Sequence, residues 1–387
     1  MEHLSIYFDH CGSTPMGHAS KAVMLDLLSN QAFGNSMATH HALGLAASDI
    51  VEKSRTEIAQ LLQCREENIH FFSGASEANN FIVFSFWNRF KDRGCRIFYS
   101  AIEHKSILEP CLLLASFAGV ESKSIGVDKS GHLLLDVLEA ELSNNPNRTP
   151  TLVCVMHTNN EVPARQSISE IQALCKRHKA YFHCDAVQGI VRESLQVSSE
   201  TFGSCVISPH KFYGPKGVGI LCTTNSSTSP LLAPLYRGGD QESGFRPGTL
   251  NTPAIGASSV ALREHLERLV DLRAHLLSCD KLFVEAMSKR LPGFKLTVPK
   301  TTEAPGIINF YIENNDAQSL LLRLKGVCIN RGASCTGAGG EKFSHVPRAL
   351  GLPVEVQANV LRASFGWHCR LEEIEPAVKA IADAVRS

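Results

Sequence analysis

The chain has 387 residues, enough for about two domains and a large buried core. Lysine plus arginine equals aspartate plus glutamate at 38 each, so no global field favours nucleic acid or an anionic membrane, and small anions must be held by local devices. No apolar run reaches the roughly 18 residues of a membrane span, and no basic-then-apolar leader opens the chain, so a cytoplasmic protein is expected.

Residues 6–8 read as a short strand entering a turn-rich loop, and 18–28 and 43–62 as helices with apolar residues at helical spacing. Asn35 lies between them, where it suits either a plain turn or a flexible loop beside a site. A strand at 68–72, the turn Ser73-Gly74-Ala75-Ser76 and a helix at 77–89 come next. That order aims unpaired backbone N–H groups and the helix dipole at one point, an anion site to which the Ser76 hydroxyl adds a donor; a simple N-cap is the alternative. No Gly-Lys-Ser/Thr follows, which excludes a Walker loop.

The strand at 95–100 ends near His104, placed either to lie over a planar ligand or to cap the helix at 107–117. Strand 120–126, helix 133–142, a turn at 144–147, the apolar strand 152–156 and helix 167–179 continue the alternation. In the next strand Tyr181, His183 and Asp185 share one face. A carboxylate at the end of an apolar strand needs a cationic partner, either structural or from a ligand. Strands at 205–207 and 218–222 flank Ser208-Pro209-His210-Lys211, which sets Lys211 at a strand end. It is either a solvated loop lysine or a desolvated amine with a lowered pKa, able to form a Schiff base.

Strands alternating with helices imply an α/β fold with a mostly parallel sheet, and ligands of such sheets bind at the strand carboxyl ends, where these candidates lie. A polar, glycine-rich passage spans 236–249, and the domain change is expected near residue 252. Beyond it helices are expected over 253–291, 316–324, 346–350, 355–360 and 371–385, and strands at 306–311, 327–330 and 361–365. The count of thirteen cysteines is odd, and without any Cys-x-x-Cys it fits neither a zinc ribbon nor a complete disulfide framework. Cys111, Cys154, Cys184, Cys205 and Cys222 sit in apolar runs as small core residues. Cys335 differs, being set among small polar residues, as an exposed thiol on a mobile loop or an incidental surface cysteine.

With Ser-x-His-Lys at 208–211, Asp-Ala-x-Gln at 185–188, Glu-His at 103–104, Asn-Asn-Glu at 159–161 and Gly-Ala-Ser-Cys at 332–335, the chain resembles the cysteine desulfurase family over almost its whole length. These are class V aminotransferase-type enzymes of fold type I that use pyridoxal phosphate, and selenocysteine lyase is a close relative. The resemblance implies a large cofactor-binding domain over 15–252 and a small α+β domain of 1–14 and 253–387 carrying a mobile loop at about 331–345. It implies that Lys211 holds the cofactor as an aldimine, that Asp185 pairs with its ring nitrogen, and that His104 stacks on the ring. Gln188 and Asn160 would lie near the phenolic oxygen, and Ala75, Ser76, Ser208 and His210 around the phosphate. Thr249 would reach the other subunit's phosphate in a homodimer, and Arg362, helped by Asn35, would fork the carboxylate of L-cysteine. Cys335 would take the sulfur as a persulfide, leaving alanine, for transfer to an acceptor protein.

The chain departs from the family pattern at Pro209, Ser36, Val162-Pro163 and Trp367, where many members have arginine, and it ends at Ser387 without the tail that housekeeping members use on their scaffold partner. Rival readings are selenocysteine lyase or a related lyase, and a catalytically silent binding protein of the same fold. A dinucleotide or metal protein is disfavoured by the lack of Gly-x-Gly-x-x-Gly and of clustered Cys/His spacing.

Overall fold

A computed structural model of the chain describes residues 5–30, 33–197, 203–223, 232–299, 302–332 and 343–386. Its first part comprises β1 (Ile6–Tyr7), α1 (His18–Ser29), α2 (Ala42–Leu61), β2 (Ile69–Phe72), α3 (Ala75–Phe90), β3 (Cys95–Ser100) and α4 (Lys105–Leu114). Then come β4 (Val120–Ile125), α5 (Leu135–Ser143), β5 (Thr151–Cys154), α6 (Ile168–Arg177), β6 (Tyr181–Asp185), β7 (Ser204–Ile207) and β8 (Gly219–Thr223).

Seven of these strands form one sheet in the order β2-β8-β7-β6-β5-β3-β4. All neighbours pair in parallel except β8, which runs against both β2 and β7. Strands β3, β5, β6 and β7 are buried along their whole length, which is why they read as apolar runs without alternation. One face of the sheet packs Phe98, Val153, Phe182 and Cys205 with α2, α5 and α6; the other packs Ile97, Leu152, Tyr181 and Val206 with α3 and α4. The five cysteines expected in the core are all buried there.

The remainder contains α7 (Thr252–Glu267), α8 (Leu269–Arg290), β9 (Phe294–Leu296), β10 (Ile307–Ile312), α9 (Ala317–Arg323) and β11 (Val327–Cys328). The chain closes with α10 (His345–Ala349), α11 (Val354–Gln357), β12 (Leu361–Ser364) and α12 (Ile374–Arg386). An antiparallel sheet β12-β10-β9 and the pair β1-β11 lie on a second core of Phe8, Phe283, Phe310, Phe365 and Ile381. The short β9 had no counterpart in the sequence reading. Helix α7 sides with the large sheet, since Ala254, Ile255, Ala261 and Leu262 join its core while the second core starts at Leu272. The packing therefore changes at the α7–α8 junction, one helix later than residue 252.

The carboxyl ends of β2, β3, β5, β6 and β7 converge, and β8 enters beside them through Gly219, opposite Phe72. A Cβ on Gly219 would collide with the Gly74 carbonyl in the turn ahead of α3. Substituting Gly219→Ala is expected to cost about 1–3 kcal/mol by overpacking and to loosen that turn. Thermal unfolding monitored by circular dichroism checks this as a lowered Tm.

Candidate active site

Where the strand ends converge, a cavity of about 520 Å³ opens. Nine of the sequence-expected residues line it: Ala75, Ser76, His104, Asn160, Asp185, Gln188, Ser208, His210 and Lys211. Asp185 ends its strand, and the others arrive on the loop or helix start that follows one.

Lys211 ends a single 3-10 turn (Pro209–Lys211) that Ser208 opens after β7. Pro209 suits the first position of that turn, where its missing N–H costs nothing. The Lys211 Nζ donates to the backbone carbonyls of Cys11 and Gly12 at 2.6 and 2.7 Å. Those carbonyls are neutral acceptors, so among the described residues the ammonium has lost water without gaining a contacting counter-ion. Burial is the main reason its pKa falls to about 8, with Arg362 pushing the same way and Cys11, Asp9 and Asp185 opposing.

At the opposite wall, no side chain caps the N-terminus of α3. The one nearby carboxylate, Glu77, is turned back to the Ser73 N–H and the Arg246 guanidinium. The helix start therefore keeps its positive end toward the cavity, beside Ser76 and His210. The His210 pKa is down at about 4, through burial first and then Lys211 and Lys216.

Asp185 closes β6 and is buried. Its Oδ2 accepts from Asn79 Nδ2 at 2.7 Å and its Oδ1 from the Val187 N–H at 3.1 Å. Tyr181, His183 and Asp185 do share a face, for His183 also reaches Asn79, at 3.0 Å. His104 caps α4 through Nδ1, which accepts from the Ser106 N–H, while its ring opens onto the cavity. The cap and the ligand-facing position are thus compatible. Desolvation holds its pKa below the usual histidine range against the pull of Asp185. Gln188 is held by the Cys11 carbonyl and by Arg192.

Arg362 stands on β12 behind the wall rather than in it. Its Nη2 pairs with Asp9 Oδ1 at 2.5 Å and its Nη1 donates to the carbonyls of Asn160 and Gly332. Its Nε has no partner among the described residues. Asn35 and Thr249 are exposed and do not line the cavity; Asn35 Oδ1 accepts from the Met37 N–H in a local turn. Cys335 lies outside the described residues, as do 333–342 of the expected loop. Both flanks of that segment meet Glu161 on the cavity wall. Gly332 passes so close that a Cβ would strike the Glu161 carboxylate, and Ser344 Oγ donates to Glu161 Oε1 at 2.9 Å.

Sequence reasoning missed the Cys11 and Gly12 carbonyls, Glu103, Glu161 and Asn79. Backbone acceptors leave no signature in residue type. Glu103 and Glu161 stood inside the quoted motifs but were assigned no task; both are buried, with pKa raised chiefly by burial. Asn79 had a visible signal, an amide in the middle of an otherwise apolar helix face.

Three comparisons place the chain among known proteins. The family model for aminotransferase class-V matches residues 6–376. The chain is 32% identical over 385 residues to the cysteine desulfurase IscS of Colwellia psychrerythraea, covering 99% of this chain and 93% of that protein. Among solved structures, a NifS-like protein superimposes with a TM-score of 0.89 at 26% identity, over 99% of both chains. SspA in complex with cysteine does so with a TM-score of 0.78 at 27% identity, over 94% of this chain and 99% of that one.

The lowered Lys211 pKa sets a pH dependence. Protons leave the amine as pH rises, so the nucleophilic neutral form grows through about pH 8 and is nearly complete well before the ordinary lysine range. The rate at which pyridoxal phosphate is captured by the apoprotein, followed by absorbance at fixed cofactor protonation, should rise with pH and flatten above about 8. A rate still climbing at pH 10 would contradict this.

Proposed function

Because the chain belongs to the aminotransferase class-V family, as a pyridoxal-phosphate-dependent cysteine desulfurase of fold type I, we propose that its reaction divides between Lys211, which activates the substrate, and Cys335, which takes the sulfur. The observation that carries this reading is the meeting of a desolvated lysine, a buried carboxylate and an uncapped helix start in one cavity. These are the three groups needed for an aldehyde, a ring nitrogen and a phosphate.

Bound pyridoxal phosphate supplies an electron-withdrawing ring that stabilises negative charge developing at the substrate Cα. The chain's residues do the rest. Asp185 would pair with the ring nitrogen, His104 would cover the ring, and Asn160 and Gln188 would serve its oxygen edge. The start of α3 at Ala75 and Ser76, with Ser208 and His210, holds the phosphate. Lys211 anchors the cofactor and, once displaced by the substrate amine, carries the Cα proton. Arg362, whose Nε has no partner among the described residues, would receive the substrate carboxylate once the Asn160 wall in front of it gives way. The Cys335 thiolate attacks the sulfur of L-cysteine; the Cβ–S bond breaks, the sulfur stays on Cys335 as a persulfide, and alanine leaves.

The persulfide is then passed to an acceptor protein. A homodimer is part of the same proposal, with Thr249 reaching the partner's site and Asn35 helping Arg362 with the substrate carboxylate. It is supported by their exposure and by the exposed Leu25, Leu28, Phe33, Met37 and Leu45 in the same region as Asn35. We assign residues 1–14 and those from α8 onward to a small domain and the sheet with α7 to the large one, on the strength of the two cores. Among the described residues no helix is long and apolar enough to cross a membrane; the buried free thiols support a cytoplasmic, reducing location.

Two variants separate the roles. Lys211→Ala should lose the visible absorption of lysine-bound cofactor along with all alanine release. Cys335→Ala should keep the colour and lose persulfide transfer to an added thiol acceptor, measured as sulfide after reduction. Full sulfur transfer in Cys335→Ala would overturn the division of labour, and a strong preference for selenocysteine without persulfide on Cys335 would favour the lyase reading.

A further inference from the structure

The amide of Asn79 is wholly buried in α3 and joins two of the groups that meet in the cavity. Its two N–H donors go to Asp185 Oδ2 at 2.7 Å and to Ser106 Oγ at 2.8 Å. Its oxygen meets His183 Nε2 at 3.0 Å, and His183 Nδ1 meets Ser204 Oγ at 2.8 Å. Ser106 Oγ in turn meets His104 Nδ1 at 2.8 Å. His183 and Ser204 have no exposure at all.

Donor and acceptor chemistry leaves this network one direction. An amide oxygen only accepts, so His183 Nε2 carries the proton. Burial lowers the His183 pKa to about 3, so the ring is neutral and its Nδ1 is an acceptor for the Ser204 hydroxyl. At the other branch Ser106 Oγ accepts from Asn79, which turns its own proton toward His104 Nδ1. The Ser106 N–H also donates to that nitrogen, so the His104 proton is forced onto Nε2. Flipping the amide would set its oxygen against a carboxylate and its NH₂ against an N–H, which costs unpaired buried groups at both ends.

We propose that Asn79 is a positioning residue whose amide keeps Asp185 an acceptor for a ring N–H and, by turning the Ser106 hydroxyl toward Nδ1, reinforces the Nε2–H form of His104 that the Ser106 N–H already favours. The inference rests on the reading of Asp185 and His104 as cofactor-facing groups. Glu103, Lys105 and Lys211 also act on this pair electrostatically from the β3–α4 turn, the head of α4 and the turn after β7. The network runs on from the Asn79 oxygen through His183 and Ser204 on the same face of the sheet as Asp185.

The test has two arms. In ¹⁵N-histidine spectra of the wild-type protein, with signals assigned from His183→Gln and His104→Gln, both rings should be neutral Nε2–H tautomers. In Asn79→Leu the His183 signal should report mixed tautomers, because its Nε2 loses the amide acceptor, while His104, still held by the Ser106 N–H, stays Nε2–H. An Nδ1–H form at either ring in the wild type would overturn the polarity, whether or not any variant folds. In the cofactor-loaded protein, Asn79→Asp places a second carboxylate beside Asp185 and should raise the pH midpoint of the visible band by about one unit or more. A purely structural role would lower Tm and leave that midpoint unmoved, which would overturn the link to the cofactor. Failure of the wild type to take up pyridoxal phosphate would instead strike the reading of the site and leave the tautomer result standing on its own.

Discussion

Everything in this molecule turns on an ammonium taken out of water without a contacting counter-ion. Lys211 Nζ rests on two neutral carbonyls of the segment that follows β1, and its pKa falls to about 8 in consequence. A charged group so placed costs stability, and the surrounding packing must hold it there. The enclosure comes from both packing units: β7 delivers the lysine, the Cys11–Gly12 backbone receives it, and the bridge Asp9–Ser364 ties that backbone to β12. The arrangement lowers stability and raises nucleophilicity through the same desolvation.

The local chain around the lysine is held under strain. Tyr213, two residues on, is buried with a φ of 67°, a left-handed conformation that costs a bulky residue about 1–2 kcal/mol. The Trp367 ring stacks on it with centroids 4.1 Å apart, the Trp367 N–H donates to its hydroxyl, and Arg268 covers the indole at 4.8 Å. Such stacking adds about 0.5–1.5 kcal/mol beyond area burial, enough together with that burial to hold the strained turn. Trp367 thus serves as an aromatic clamp on the turn, with the cation over its indole supplied by Arg268 at the end of α7.

Much of the fold and the site was legible in the sequence because both follow from period and punctuation. Fully apolar strands such as 152–156 announced a sheet covered on two faces, and small-residue turns before helices announced an anion cup. What escaped has physical reasons. Strand β9 is three residues long, with one buried, too few for any pattern. Helix α7 carries small residues such as Ala254, Gly256 and Ala257, whose allegiance only packing decides. The carbonyls under Lys211 have no side-chain signature. Asn35 and Thr249 stand away from the cavity of their own chain, and residue type alone carries no sign of that placement.

The central claim is that Lys211, among the lysines at the cavity, holds the cofactor. Lys105 and Lys216 line the same cavity and offer a real alternative. Borohydride reduction of the purified holoprotein, followed by peptide mapping with mass spectrometry, decides the matter directly. The pyridoxyl group should be found on Lys211 alone. Its recovery on Lys105 or Lys216, with Lys211 unmodified, would contradict the account.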